Sequence, residues 1–524
     1  MDETISIVDE RKSKLNKFLF SWIKDNYDKY FLVILALAFV LRIWIFTKTF
    51  NQPLWWDEAD YMSAAKRLGL GLDIRDIWYY RRGFLFPLIS APFFMFGFGE
   101  IGVRLLEILF STGFVFVSYI LLTRFFEKKI ALLTSICLTF SWILFFFSGR
   151  ILTDIPAAFF ILVSFLFFWD GYFLKKGNKY IYLSAIIFVL AVLTRMQSLM
   201  IAPAFLITVL MKEKHKFIFN RNIWIALMIF IALMIPQFYL YSSHYGNPFA
   251  DIASHYLGIG EKASETLDTR TFSTATFNYI FDLPYMMGSW IFWLFLLGFL
   301  VFFLDILVGF DKIFKNEEIQ KKFIIFFFPL CIFLIMGYIG SVSYVEQRYI
   351  TAALPFLFLM TVYPLVKFRE VLENQNFSKK TANILIITIL LLLLVPNFLL
   401  ANKMIEEKKF SYLEVKQAGL WIKENSNPSD IVISGSLPQT VYYSERTVYP
   451  FGLDSQINPS GKDNETLLLQ FINEKKPRYY IVSSFEQEPQ WTFDLPQKNP
   501  ELFAPVQVYK QGENPVLIIY ELNY

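Results

Sequence analysis

The amino-acid sequence predicts a polytopic α-helical membrane protein of about eleven spans that ends in a smaller α/β domain. Three observations carry this reading. Of the 524 residues, 55% are hydrophobic and 18% charged, where a soluble domain averages ~45–50% and ~25%. The apolar residues fall in blocks of roughly 16 to 25 between short charged stretches, the length a bilayer core demands of a helix. After residue 400 these blocks give way to short alternating runs and turn residues, the pattern of a water-facing fold.

The N-terminus, MDETISIVDERKSKLNK, is too polar for a cleavable signal peptide, so the first apolar block is expected to stay as an anchor. Spans are read near 30–47, 101–123, 130–147, 155–173, 181–194, 199–211, 222–241, 286–308, 323–340, 350–366 and 380–400. Several fall short of a straight span of ~20 residues, and flanking aromatics with local thinning make up the difference. Lys and Arg set the orientation. They crowd between Arg11 and Lys29, then recur within 124–129, 175–179, 212–221, 312–322 and 367–380. The short connections between these clusters carry only Arg150, Arg195 and Arg348. Positive residues stay inside, which puts the N-terminus in the cytoplasm and the chain beyond 400 outside it. Residues 84–98, FLFPLISAPFFMFGF, are apolar enough to span. Pro87 and Pro92 disfavour a regular spanning helix, and inversion would spoil the charge alternation. The stretch is expected to be interfacial or re-entrant.

In the tail, 411–425 and 465–475 read as helices, 430–435 and 478–484 as buried strands, and VQVYK with VLIIYEL as a closing hairpin. The expected organisation is a cytoplasmic N-terminus 1–29, a transmembrane domain 30–400 with outer loops 48–100 and 242–285, and an extracytoplasmic soluble domain 401–524. Asn464-Glu-Thr466 is a sequon on the outer side, and Asn376-Phe-Ser378 lies inside. A net charge of +4 is small for this length and gives no reason to expect nucleic acid as a partner. Cys137 and Cys331, both within apolar blocks, form no disulfide framework or thiolate metal site. The outer histidines, His244 and His255, have no paired carboxylate motif, and no Gly-rich phosphate loop, nucleophile elbow or HExxH occurs.

Ionisable residues at membrane depth are costly and mark functional sites by default. Here they gather at the outer ends of the spans. In WWDEADYMSAAKRL (55–68), Asp57 and Glu58 stand where a span gives way to a helix. Asp57 either caps that helix or removes a proton from a substrate hydroxyl. In SGRILTDIP (148–156), Asp154 either caps a descending helix or faces a shared cavity, and Arg150 pairs with it or snorkels. In YVEQRYITAALP (344–355), Glu346 and Arg348 either pair with each other or leave the guanidinium fork for a phosphate. Arg81, Arg82 and Arg195 admit the same two readings. Asp57, Asp154, Arg82, Glu346 and Arg348 are expected to line one cavity at the outer leaflet.

These segments, with GEIGVRL (99–105), RILTDIPAAFF (150–160), LTRMQSLMIAPAF (193–205), YGNPF (245–249) and EQRYITAALPF (346–356), resemble the GT-C membrane glycosyltransferases. The nearest branch holds the dolichyl-phosphate-mannose protein mannosyltransferases and the bacterial aminoarabinose transferase of lipid A. The resemblance runs along nearly the whole chain. It implies a sugar carried on a polyprenyl or dolichyl phosphate and transferred, with inversion, to a protein, lipid or glycan hydroxyl at the outer face. It maps the base onto Asp57, with Glu58 beside it, and a second acidic residue onto Asp154. Arg82 and Arg348 map onto binders of the lipid phosphate. EQRY departs at one position from the commoner ERY. Oligosaccharyltransferase catalytic subunits share the architecture but carry WWDYG in the outer domain, which the tail here lacks.

The physics agrees with that chemistry. A lipid phosphate is already a good leaving group, so the reaction needs a base and positive charge for the departing oxygens. No cofactor is required, and a divalent metal is compatible but not demanded. A secondary transporter would place charges near the midplane in repeated halves, which this sequence does not show. A non-catalytic glycan-binding membrane protein leaves the outer carboxylates without a purpose. An accessibility tag fused after Tyr524 is expected to report from outside the cytoplasm, and a cytoplasmic signal would overturn the topology.

Overall fold

The structure, a computed structural model, describes residues 22–72, 82–246, 277–340, 345–453, 457 and 465–524. Arg81, most of the loop 242–285 and Asn464 lie outside the described residues. The first part of the chain is helical: α1 Asn26–Thr49, α2 Trp56–Leu70, α3 Leu85–Met95, α4 Gly99–Phe125, α5 Lys128–Phe140, α6 Trp142–Phe147, α7 Asp154–Phe168 and α8 Asn178–Thr194. It continues with α9 Ala202–Glu213, α10 Arg221–Tyr245, α11 Ser289–Val308, α12 Glu317–Gly340, α13 Leu354–Asn374 and α14 Lys379–Lys408.

Among the described residues, 8 helices are long and apolar enough to cross a membrane. The chain is an integral membrane protein. The window of α10 shows why water cannot surround it: only 11% of it is buried, and Trp224, Leu227, Met228, Ile231 and Ile235 are all exposed. Apolar on every side, such a helix needs lipid. The expected span 130–147 is not one helix. Ser141, at φ −59 and ψ 123, leaves the helical region and separates α5 from α6. The stretch 84–98 forms only the 11 residues of α3, too short to span.

The chain divides into two compact units. The first comprises Met1–Ile45, Glu107–Gly149 and Thr153–Asn402. Small residues let its helices approach. Ser164 of α7 donates to the Ser184 carbonyl of α8 at 2.8 Å, and Gly298 of α11 lies directly against the Met360 carbonyl of α13. Ion pairs tie the helix ends: Asp28 accepts from Tyr119 at 2.8 Å and from Lys128 at 2.5 Å, while Asp170 accepts from Arg124 at 3.0 Å. Asp170 sits in a π-turn, Trp169–Phe173.

The second unit comprises Phe46–Leu106, Arg150–Leu152 and Lys403–Tyr524. Packing thus counts the first outer loop with the tail, where hydropathy alone counts it with the spans. Its sheet contains β1 Ile431–Ser434, β2 Thr447–Tyr449, β3 Tyr479–Ser483, β4 Phe503–Gln511 and β5 Asn514–Leu522, in the order β2-β1-β3-β5-β4. β1 runs parallel to β2 and β3, and the hairpin β4–β5 is antiparallel. Its helices are α15 Leu413–Asn425, α16 Leu437–Ser444, α17 Glu465–Lys475 and α18 Gln490–Lys498.

Alternation decides the layers. Val432, Tyr479, Ile481, Leu517 and Ile519 face α15 and α16. Ile433, Tyr480 and Val482 face α17 and Leu495 of α18. The central strands β1 and β3 therefore bury both faces, as strands covered on two sides must, whereas β4 at the edge is largely exposed. A third core joins α2 to α3 and α16 through Tyr61, Met62, Phe86, Phe94, Tyr442 and Tyr443.

A Cβ on Gly298 would come within 1.8 Å of the Met360 carbonyl oxygen, a backbone atom that cannot swing away. Gly298→Ala is expected to force α11 and α13 apart at the ~1–3 kcal/mol cost of overpacking. Thermal melting in detergent would read it as a lowered midpoint, and an unchanged midpoint would contradict the close approach.

Candidate active site

Helix α2 begins at Trp56, so Asp57 and Glu58 fall in its first turn, where amide N–H groups lack helical partners. Glu58 supplies one partner. Its carboxylate reaches back to the Trp55 N–H at 2.6 Å and also accepts from the Ile151 N–H and from Arg150 Nη2, each at 2.6 Å. Glu58 is fully buried, and so is Arg150. The guanidinium lies over the Trp55 ring at 3.7 Å. Burial pushes Arg150 down to about 10, which leaves it a cation at neutral pH. Two of the residues expected at the site, Glu58 and Arg150, are thus spent on each other. Arg150 is buried against Glu58 and does not snorkel.

Asp57 is differently placed. It does not cap α2, a role that falls to Glu58, and its side chain is 30% exposed. Arg82 Nη2 donates to its Oδ1 at 2.9 Å. The same guanidinium pairs with Asp60 at 3.1 Å and lies over the Tyr61 ring at 5.2 Å. Burial pulls Arg82 down, but Tyr61, Asp60 and Asp57 outweigh it and hold the group above its ordinary range. Asp60 was not singled out in the sequence. The signal for it was its spacing of three from Asp57, which puts both carboxylates on one helix face.

In the first unit, Asp154 opens α7. Arg195 sits where α8 stops, at φ −154 and ψ 115. Its Nη1 lies 3.1 Å from Thr153 Oγ1 and 3.4 Å from Asp154 Oδ1, and its guanidinium covers the Tyr349 ring at 4.6 Å. Arg348 comes from the 3-10 helix Gln347–Ala353. Its Nε lies 3.8 Å from Asp154 Oδ2 and 3.2 Å from Glu346 Oε2. Two guanidinium groups therefore converge on one buried carboxylate, while Glu346 stays 41% exposed. Asp154, Arg195, Ser198, Arg348, Tyr349 and Thr351 border a cavity of ≈ 20 Å³. A cation pair beside a cavity suits an anion, and the Arg fork suits phosphate in particular.

The structure thus gathers Asp57 with Arg82 in one unit, and Asp154, Arg195, Glu346 and Arg348 in the other. Thr153, which steadies Arg195, carries no sequence signal of its own, and Tyr349, the last residue of EQRY, stands in that motif without an assigned role. Among the described residues no three His, Cys, Asp or Glu side chains gather as a metal cage.

Residues 83–240 match the family described as dolichyl-phosphate-mannose-protein mannosyltransferase. Comparison with curated proteins finds no match. The fold is similar to that of ArnT from Cupriavidus metallidurans, solved bound to undecaprenyl phosphate, with a TM-score of 0.61 at 13% identity over 93% of this chain and 97% of that one. It is similar as well to the Archaeoglobus fulgidus oligosaccharyltransferase, with a TM-score of 0.62 at 13% identity over 88% and 70%. The archaeal AglB from Archaeoglobus fulgidus, in complex with an inhibitory peptide and a dolichol-phosphate, gives 0.60 at 12% identity over 95% and 75%. The chain resembles the GT-C membrane glycosyltransferases.

Removing the charge of Glu58 would leave Arg150 buried without its counter-ion, a change that commonly costs ~3–5 kcal/mol. Glu58→Gln is expected to lower the melting midpoint sharply and to cut the folded yield. A variant as stable as the parent would show that the pair holds nothing.

Proposed function

We propose that the chain is a membrane glycosyltransferase that moves a sugar from a polyprenyl- or dolichyl-phosphate donor to a hydroxyl on a protein, lipid or glycan. The reading comprises about eleven spans, a cytoplasmic N-terminus, and the segment 401–524 outside the membrane. What carries it is the Asp57 carboxylate, part-exposed and held by Arg82 at 2.9 Å in the first turn of α2. It is accessible to a substrate, whereas Glu58 is not.

The reaction balances simply. The acceptor oxygen attacks the anomeric carbon on the face opposite the phosphate, Asp57 takes the hydroxyl proton, and the bond from sugar to phosphate oxygen breaks. The configuration inverts. The departing lipid phosphate gains charge as the bond lengthens, and donors aimed at developing charge stabilise the transition state more than the ground state. Arg348 and Arg195, around Asp154, are assigned that role. Asp154 holds the two guanidinium groups, which would otherwise repel each other. Arg81 is assigned to donor binding alongside Arg82, and Glu346 to steadying Arg348. Glu58 and Arg150 position the first turn of α2 and touch no substrate. Mannose is the sugar that the family description favours.

Asp57→Asn keeps size and removes the proton acceptor, a loss that commonly costs ~10²–10⁴ in rate. With radiolabelled lipid-phosphate sugars and a membrane extract as acceptor source, it is expected to fold and bind donor but transfer almost none. Arg348→Ala is expected to weaken donor binding instead. Near-normal transfer by a folded Asp57→Asn variant would remove Asp57 from the role and send the search to Asp60 or Asp154.

A further inference from the structure

The sheet places β1 between β2 and β3, all parallel. The chain leaves β1 toward one side, forms β2, and crosses back to form β3 on the other side. The loops after β1 and β3 therefore diverge, and in open α/β sheets that crevice at the carboxyl ends of the strands is where ligands bind. Here Gly435 and Ser436 come from the first loop, and Ser483, the last residue of β3, stands beside residues 484–488 of the second.

These residues are buried without being satisfied. The Ser436 and Ser483 hydroxyls, on residues 2% and 3% exposed, are sealed from solvent and have no hydrogen-bond partner. Glu486 Oε1 and the Glu488 carboxyl oxygens close no hydrogen bond of good geometry either, although the Ser483 backbone amide lies toward Glu488. Ser436 faces the Glu486 carboxyl closely enough to lower it, but not in the geometry of a full hydrogen bond. The Glu488 carboxyl rests on Gly435, where a Cβ would come within 1.7 Å of Oε1. Only glycine leaves that oxygen its place. Burial pushes Glu486 up to about 7 and Glu488 up to about 8, outweighing the Ser436 hydroxyl at the first and the Ser483 amide at the second, and Glu486 raises Glu488 further. The other titratable groups that face the pair are Tyr412 and Tyr480, both raised by burial and neutral. No Lys, Arg or His offsets either carboxyl among the described residues. Buried acceptors are almost always satisfied, and exceptions call for an explanation such as an ion.

We propose that this crevice binds a hard divalent cation of the Ca²⁺ kind, held by Glu486, Glu488, Ser436 and Ser483. The donor set is all oxygen, which selects hard cations. A neutral hydroxyl ligand would satisfy the oxygens but leave two carboxylates repelling each other, whereas a divalent ion neutralises both. Loop oxygens suit the flexible coordination of Ca²⁺ better than the strict octahedron of Mg²⁺. With only two carboxylates the affinity belongs in the range of ~10⁻⁴–10⁻³ M. The ion would also brace α16, which starts from Ser436. The Tyr443 hydroxyl of that helix accepts from the Leu54 N–H at 2.9 Å, and the adjoining Glu445 pairs with Lys66 of α2 at 2.6 Å. Insofar as Asp57 of α2 is the base proposed above, the cation steadies the base from a distance. Its binding does not depend on that assignment.

The sign of the pH dependence is fixed. Raised carboxyl values mean that the folded state prefers the protonated form, so without the ion stability falls as pH climbs from the ordinary carboxyl range through about 7 and then 8. Ca²⁺ competes with those protons and binds more tightly at higher pH. Calorimetric titration of the full chain in detergent with CaCl₂, and no sugar donor, is expected to show one saturable site at about pH 8.5, weakened at least ~10-fold at about pH 6. Binding should vanish in Glu486→Gln/Glu488→Gln, weaken in Ser436→Ala and persist in Asp57→Asn. No saturation up to about 10 mM at the higher pH, or unchanged binding in the double Gln variant, would overturn the site. Thermal melting provides the folding control. Without Ca²⁺ the double variant should melt at or above the parent, and Ca²⁺ should raise the midpoint of the parent alone. A double variant that melts well below the parent would show that protein contacts, not an ion, hold the carboxyls.

Discussion

A carboxylate and a guanidinium taken out of water together, Glu58 and Arg150, set the geometry around which the candidate site is arranged. Each alone would be prohibitive to bury. Joined at 2.6 Å, with the Ile151 amide and the Trp55 amide completing the oxygens' bonds, they become a fixed point. Residues 92 positions apart in the chain are tied there. The pair ends the approach to α2 and leaves the next carboxylate, Asp57, pointing elsewhere. Two adjacent acidic residues thereby acquire opposite characters, one interior and one accessible. Replacing the pair by apolar side chains could match its stability but could not orient a helix terminus in the same way.

The second constraint is lipid. A helix such as α10 displays Leu, Ile, Met and Trp on all sides and satisfies its backbone internally, which is the condition for crossing hydrocarbon. Polar side chains in the first unit are correspondingly drawn inward or to helix ends. Arg42 donates to Ser111 at 2.6 Å and to the Ala38 carbonyl at 3.0 Å. Thr134, Ser135 and Thr139 turn back onto carbonyls of their own helix. Cost at one residue is met by a local partner, and at the span ends charged residues meet each other, as Arg195 and Arg348 meet Asp154.

Much of this was legible in the sequence because bilayers and sheets write strong periods. Long apolar blocks marked the helices, and the short continuous apolar runs at 430–435 and 478–484 marked β1 and β3 as buried strands. Short elements were not legible: α16, β2 and α18 have too few residues for a period to emerge. Ser141 breaks a span by a single ψ angle that no serine announces. In the candidate site the residue types and segments were readable but their partners were not. Charge and spacing offered Arg150 only Asp154 or a headgroup, and its pairing with Glu58, 92 positions away, depended on tertiary packing. Asp60 escaped notice because its role depends on Arg82 crossing 22 positions to reach it. Tyr349 beneath Arg195 could not be found without coordinates.

The size of the cavity beside Asp154 has a thermodynamic consequence. At ≈ 20 Å³ the space between its side chains accommodates about one water. Where the donor phosphate proposed above needs that space wider, it meets it only in molecules whose lining has already moved aside. Its apparent affinity is then the intrinsic affinity multiplied by the fraction of molecules already open. That fraction is common to every donor and cancels when two donors are compared. Discrimination between sugars must come from contacts made after opening, while any change that eases opening would tighten all donors by one shared factor.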